Sequence, residues 1–180
     1  MSATPEVPSS PSPFRETKLA IGVLDLAGFF ALCRDHEDIE IAAFLEDFYR
    51  LCHDRIAAAG GRVVKFVGDA VLSVFPPGRT AAAVEATVAL RREVERLGAS
   101  RGWRVAAGAN LHIATVVEGE FGPEDDRRYD VIGSGVNHAF VMGRGAGMRI
   151  SEPVYRQLPS GRRSPWAKQR PPATYVLAGE

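Results

Sequence analysis

Residues 63–75, VVKFVGDAVLSVF, read as two antiparallel strands joined by the tightest of turns. Val63, Val64, Phe66 and Val67 lead into Gly68-Asp69, and Ala70, Val71, Leu72, Val74 and Phe75 lead away. A Gly-Asp pair between β-branched and aromatic runs signals a two-residue hairpin, with the glycine supplying a positive φ. Two residues in it are out of keeping with an apolar hairpin: Lys65 inside the first strand and Asp69 at the tip. On these residues alone, turn chemistry accounts for Asp69 and a snorkelling stem accounts for Lys65.

The flanking segments alternate between the two periods of regular structure. Residues 18–25 (KLAIGVLD) form a buried strand, and LAGFFALC a turn entering a short helix. Ile41, Phe44/Leu45, Phe48, Cys52 and Ile56 mark one stripe of a helix over 38–59, ended by Gly60-Gly61. A second helix follows over 79–97, with Ala83, Thr87, Leu90, Val94 and Leu97 as its stripe. Residues 103–122 read as two strands, YDVIG as a short strand and SGVNHAFVM as a helix opening. A strand at 148–151, a helix at 152–158, a basic loop and a last strand, ATYVLA, complete the chain. The order βααββαβββαβαβ predicts an α+β sandwich with helices covering one face of a mixed sheet. Residues 1–17, rich in Pro and Ser, read as a disordered tail, leaving 18–180 as one domain.

Charge narrows the partners. Lys+Arg and Asp+Glu are both 22, so no global basic field attracts nucleic acid or an anionic membrane. An anionic ligand must be held by local groups. Cys33 and Cys52 form no CxxC pair and read as reduced, part-buried thiols; His36, His53, His112 and His138 are scattered and read as surface or core residues. No apolar run approaches membrane-spanning length and the N-terminus lacks a signal-peptide pattern, so a cytoplasmic protein without a membrane partner is expected.

Three carboxylates end or begin apolar strands: Asp25, Asp69 and Asp130. Neighbouring strands would let Asp25 and Asp69 converge. Two carboxylates with few other ligands suit Mg²⁺, which keeps several waters and is completed by substrate phosphates. Two such ions suit in-line displacement at phosphorus, and the Ala-Gly pair after Asp25 suits a phosphate at a helix start.

The blocks VLDLAGFF, GGRVVKFVGDAVLSVF, LHIATVVEGEFG and YDVIGSGVNHA, in this order and spacing, resemble the signature blocks of the class III nucleotidyl cyclase catalytic domain over about residues 18–178. The resemblance implies a ferredoxin-like, palm-type fold, mostly antiparallel, its sheet covered by helices. It implies an adenylate cyclase that converts ATP to 3′,5′-cyclic AMP and pyrophosphate with two Mg²⁺ or Mn²⁺ ions. Asp25, Leu26 and Asp69 would form the metal set, Lys65 and Asp130 would read the purine, and Gly28 and Phe29 would lie at the phosphates. Asn137 would orient the ribose or the reacting phosphate, and Lys168 stands near the family's triphosphate lysine, though its basic stretch reads equally as a solvated charge run. The family completes its sites between two head-to-tail subunits, so a homodimer is expected. A Lys donor and an Asp acceptor match adenine's N1 and 6-amino edge and clash with guanine's, a mismatch worth roughly 10⁴-fold where polar groups are left unpaired.

Several positions depart from that pattern. Val141 stands where the family usually has an arginine, Ala114 where it has a glycine, and Phe29-Phe30 where it has Phe-Thr. Asn137, Val141 and Arg144 are spaced i, i+4 and i+7, so on a continuous helix Arg144 shares the face and supplies the missing cation, or else complements the helix dipole in solvent. The alternatives to an adenylate cyclase are a degenerate cyclase-homology domain that binds nucleotide or only dimerises, and a cyclase for another nucleoside triphosphate.

Overall fold

A computed structural model of the protein describes residues 13–169 and 173–178. At its centre, β1 (Phe14–Ala27) pairs antiparallel with β3 (Ala70–Phe75) on one side and along its whole length with β4 (Ala106–Phe121) on the other. β2 (Arg62–Val67) hairpins onto β3 and forms one edge. Beyond β4 come β6 (Gly147–Ser151), parallel to it, then β8 (Thr174–Leu177) and β7 (Trp166–Gln169) at the other edge. β5 (Arg128–Ile132) pairs with the far end of β4, off this path. The fold is thus α+β, with a mixed and mostly antiparallel sheet flanked by helices, as the sequence implies.

The helices are α1 (Phe29–Asp35), α2 (Asp38–Ala58), α3 (Thr80–Ser100), α4 (Ser134–Val141) and α5 (Glu152–Gln157). A reciprocal Glu37/Glu40 capping box opens α2 and satisfies two of its orphan donors. Its stripe of Ile41, Phe44, Phe48, Cys52 and Ile56 is buried as the spacing predicts. α2, α3 and α5 pack their stripes on one face of the sheet around Leu24, Leu26, Leu111 and Ile150.

Four expectations are corrected. Helices do not cover one face only: Leu19, Ile21 and Val23 of β1 form a second core with Leu72, Val131 and, on α4, Val136 and Ala139. Both faces of β1 are therefore buried, which is why its residues run apolar without clean alternation. Residues 103–122 hold one long strand rather than two, Ala106–Phe121, whose ladder to β1 runs from Ala106↔Ala27 to Gly119↔Phe14. Strand β1 begins at Phe14, so residues 14–17 of the expected tail are strand, while residues 1–12 of that tail lie outside the described residues. Finally, the basic stretch after α5 contains β7, anchored by buried Trp166 and tolerated as polar because it is an edge.

The two cysteines are free, and burial pushes the Cys52 thiol well above its ordinary range, as expected of an inert core thiol.

The first core is where stability should concentrate. Phe48 is fully buried within it. Phe48→Ala is expected to cost about 3–5 kcal/mol, read as a lower urea midpoint with an unchanged slope; a cost near zero would mean that α2 does not pack on the sheet in this way.

Candidate functional site

The β1–β3 ladder sets the site. Asp25 lies opposite Ala70, so the Asp69 at the hairpin tip adjoins it. Gly68 has φ +59° and Asp69 a negative φ, the pattern of a hairpin turn with glycine at its first central position. Tyr49 of α2 fixes this tip: its hydroxyl donates to the Gly68 carbonyl and its ring stacks on Phe66 at 4.1 Å. Burial and the Asp69 charge together push the Tyr49 pKa up. Tyr49 was not singled out in the sequence, where it reads as one more aromatic of α2.

Asp25 is half-buried, and its pKa is raised first by burial and then by the charge of Asp69. Arg149 of β6 partly offsets this by its own charge. The surroundings are tight: a Cβ at Gly108, Asp25's partner on β4, would lie 2.6 Å from Asp25 Oδ1 and would overlap the Gly145 carbonyl. Two carboxylates held together against their repulsion, with little protein to neutralise them, are a donor set that suits a hard divalent cation. Leu26 buries its side chain in the first core, so its carbonyl is the only group it can offer such an ion. Among the described residues no cluster of three or more His, Cys, Asp or Glu is placed to hold a metal ion.

Lys65 reaches this face through a defect in β2. The register jumps between Val63 and Lys65, so Val63 opposes Ser73 while Lys65 opposes Leu72. Without the extra residue, strict alternation would turn Lys65 toward α2. With it, Lys65 lies on the side of Leu72 and the second core, the side to which Asp25 also points through its pairing with Gly108. There Lys65 Nζ meets Asp130 Oδ2 at 2.6 Å, while Asp130 Oδ1 accepts from the Val131 amide at 2.8 Å. The aspartate on β5 and the lysine on β2 form one donor–acceptor pair, part exposed and available to a ligand.

Gly28, with φ +79°, turns the chain out of β1 into α1, and Phe29 packs back against the first core. Asn137 is exposed on α4. The helix sits close because Gly135 faces Ala114, where a Cβ would overlap the Ala114 methyl. The glycine that the family resemblance places on the strand has in effect moved to the facing helix. Asn110, buried on β4, donates to the carbonyls of Ala139 and Gly143 and closes the C-terminal end of α4. Beneath α4, His112 and His138 meet edge to face at 4.6 Å, and burial with the neighbouring ring pushes the His112 pKa down to about 4.

Two expectations change here. α4 ends at Val141, which is 71% exposed, so Asn137 and Arg144 do not share a continuous helix face. The helix has ended before Gly143, which precedes Arg144. The cation that does lie near Asp25 is Arg149, whose guanidinium donates to the carbonyls of Arg144, Gly145 and Ala146 and has no carboxylate at ion-pair distance among the described residues. The sequence hides it as an ordinary strand arginine. Lys168 is exposed on β7 with its ammonium 5.9 Å from the Tyr175 ring centre, on the face of the first core and away from Asp25.

The profile of the adenylate and guanylate cyclase catalytic domain matches residues 14–169. An adenylate cyclase of Anabaena cylindrica is 29% identical over 154 residues, covering 78% of this chain and 31% of that protein. An adenylate cyclase of Streptomyces coelicolor is 41% identical over 69 residues, 38% of this chain and 18% of that protein. The chain thus spans under a third of the length of these relatives. In three dimensions it matches the adenylyl cyclase CyaB of P. aeruginosa with a TM-score of 0.79 at 20% identity, covering 93% of this chain and 96% of that one. The guanylyl cyclase Cya2 matches with 0.76 at 22%, covering 92% and 93%.

The raised pKa of Asp25 has a consequence for stability. A carboxylate whose folded pKa lies above its unfolded value destabilises the fold as pH rises through both, because the folded state holds the proton longer. Asp25→Asn should therefore raise the melting temperature in metal-free buffer at pH 7–8, with the gain disappearing as pH falls below the carboxylate range. Melting curves against pH would check this; a variant less stable than wild type at neutral pH would contradict it.

Proposed function

Because the chain belongs to the family of adenylate and guanylate cyclase catalytic domains, we propose that it cyclises ATP to 3′,5′-cyclic AMP and pyrophosphate at sites shared by two head-to-tail subunits. The observation that carries this reading is the Lys65–Asp130 pair, set on the same sheet face as Asp25 and Asp69. An ammonium donor beside a carboxylate acceptor matches the N1 and 6-amino groups of adenine and leaves guanine's edge unpaired. The relatives named adenylate cyclase support the same choice.

In this reading Asp25 and Asp69, with the Leu26 carbonyl, would hold Mg²⁺ or Mn²⁺. Such ions, when bound, would lower the pKa of the 3′-hydroxyl and neutralise charge on the phosphates. The residues of the chain do the rest. Lys65 and Asp130 would separate to admit the base and fix its register. The backbone at Gly28 and Phe29 would line the phosphates, and Asn137 would orient the ribose. Arg149, rather than Arg144, is the arginine whose charge already reaches Asp25. Lys168 would contribute to the phosphates only from the partner subunit or through movement of the β7–β8 hairpin. One observation favours the second reading, a nucleotide-binding module without turnover: Val141 leaves the α4 face without its guanidinium.

Incubating the purified chain with each nucleoside triphosphate and Mg²⁺ or Mn²⁺, then identifying products by mass, separates these readings. Cyclic AMP from ATP is expected, with GTP used far more slowly; Asp25→Asn or Asp69→Asn should lower turnover by about 10²-fold or more. Equal rates with ATP and GTP would overturn the assignment of the Lys65–Asp130 pair, and nucleotide binding without product would favour the second reading. Mixing inactive Asp25→Ala with inactive Asn137→Ala should restore activity in heterodimers; verified heterodimers without activity would contradict shared sites.

A further inference from the structure

On the face of the sheet opposite Asp25, α3 and the C-terminal hairpin enclose a cavity of about 310 Å³ that the reading above does not use. Its floor is apolar: Val84 and Val88 of α3, Leu158 after α5, and Trp166 of β7. Val84, Leu158 and Trp166 are otherwise buried, so the cavity opens straight onto the first core. The α3 residues that line it, Ala81, Val84, Val88 and Ala89, are small and leave the space beside the hairpin unfilled. The rim is charged unevenly. Arg162 is paired with Glu85 across the mouth, whereas Arg92, one turn beyond Val88, has no acidic partner among the described residues.

A recess of this size, mostly apolar with a few placed polar groups, is the usual form of a small-molecule site. The surplus charge at the rim is a guanidinium, which pairs with carboxylates in a bidentate manner. We propose that this cavity binds a small amphipathic carboxylate, its hydrocarbon body on Val84, Val88, Leu158 and Trp166 and its carboxylate on Arg92. The site is separated from Asp25 and Asp69 by the sheet, so its occupant does not compete with nucleotide. The α3 helix that forms its wall is tied to the strand behind the carboxylates, since Arg91 Nε donates to the Ala107 carbonyl at 2.8 Å and Gly108 is the next residue.

Isothermal titration of the full chain with octanoate, decanoate and dodecanoate tests this. Saturable one-to-one binding is expected, tightening by up to about fourfold per added methylene until the cavity is filled. Decanol should bind at least about tenfold more weakly than decanoate, the loss expected for a charge-assisted hydrogen bond. Arg92→Glu should weaken decanoate by at least about tenfold and leave decanol unchanged, and Val88→Trp, checked for folding by circular dichroism, should abolish both. Asp25→Asn should bind decanoate like wild type, so loss of nucleotide turnover leaves this result intact. Absence of saturable decanoate binding, or retention of full affinity by Arg92→Glu or by folded Val88→Trp, would overturn the proposal.

Discussion

The repulsion between Asp25 and Asp69 is the constraint around which this structure is built. Left to itself, a half-buried carboxylate beside a second one would protonate or move apart. The backbone closes the second escape, and the raised Asp25 pKa records the pull toward the first. The ladder between β1 and β3 fixes Asp25 opposite Ala70, the two-residue turn fixes Asp69 beside it, and Tyr49 ties the turn to α2. Each of these devices is anchored in the first core, through Phe44, Phe48 and Leu24. The stability of the first core therefore holds together, on the opposite face, two carboxylates whose repulsion opposes folding.

The second face of the sheet divides the remaining work. The bulge in β2 turns Lys65 out of the α2 packing and toward Asp130, and β5 extends from the far end of β4 to meet it. α4 lies close on β4 because Gly135 accommodates Ala114, and its C-terminal turn is held by Asn110. Arg149 gathers three carbonyls of the 144–146 turn while its charge acts on Asp25. The segment after α4 is thereby joined to the carboxylate end of β1. Arg149 packs beside Gly143, two residues after Val141.

Much of this was legible in the residues. The hairpin, the two long amphipathic helices and the short α4 follow from turn chemistry and periodicity, and the carboxylates announce themselves by ending apolar strands. The single length of β4 was not legible, because it depends on pairing with β1 along that strand's whole length; there Gly108 leaves room for Asp25 and Gly119 for Phe14. Covering of both sheet faces was hidden for a related reason, since a strand buried on two sides loses the alternation that would assign its faces. The bulge at Val63–Lys65 has no local signature and depends on how β3 pairs. Arg149 and Asn110 were hidden because their partners are backbone carbonyls, local for Arg149 and some thirty residues away for Asn110, which no side-chain motif records. Arg144 does not continue the α4 face for a reason visible locally, since the helix ends at Val141 and Gly143 follows before Arg144.

The proposed chemistry requires Asp25 and Asp69 to form one cation site together with the nucleotide. Titrating Mn²⁺ into the protein with a non-cyclisable ATP analogue, and following free Mn²⁺ by electron paramagnetic resonance, measures this directly. Wild type is expected to take up Mn²⁺ saturably, and Asp25→Asn and Asp69→Asn are each expected to lose that uptake by about tenfold or more, as for removal of one of few carboxylate ligands. Unchanged Mn²⁺ uptake in either folded variant would contradict the account.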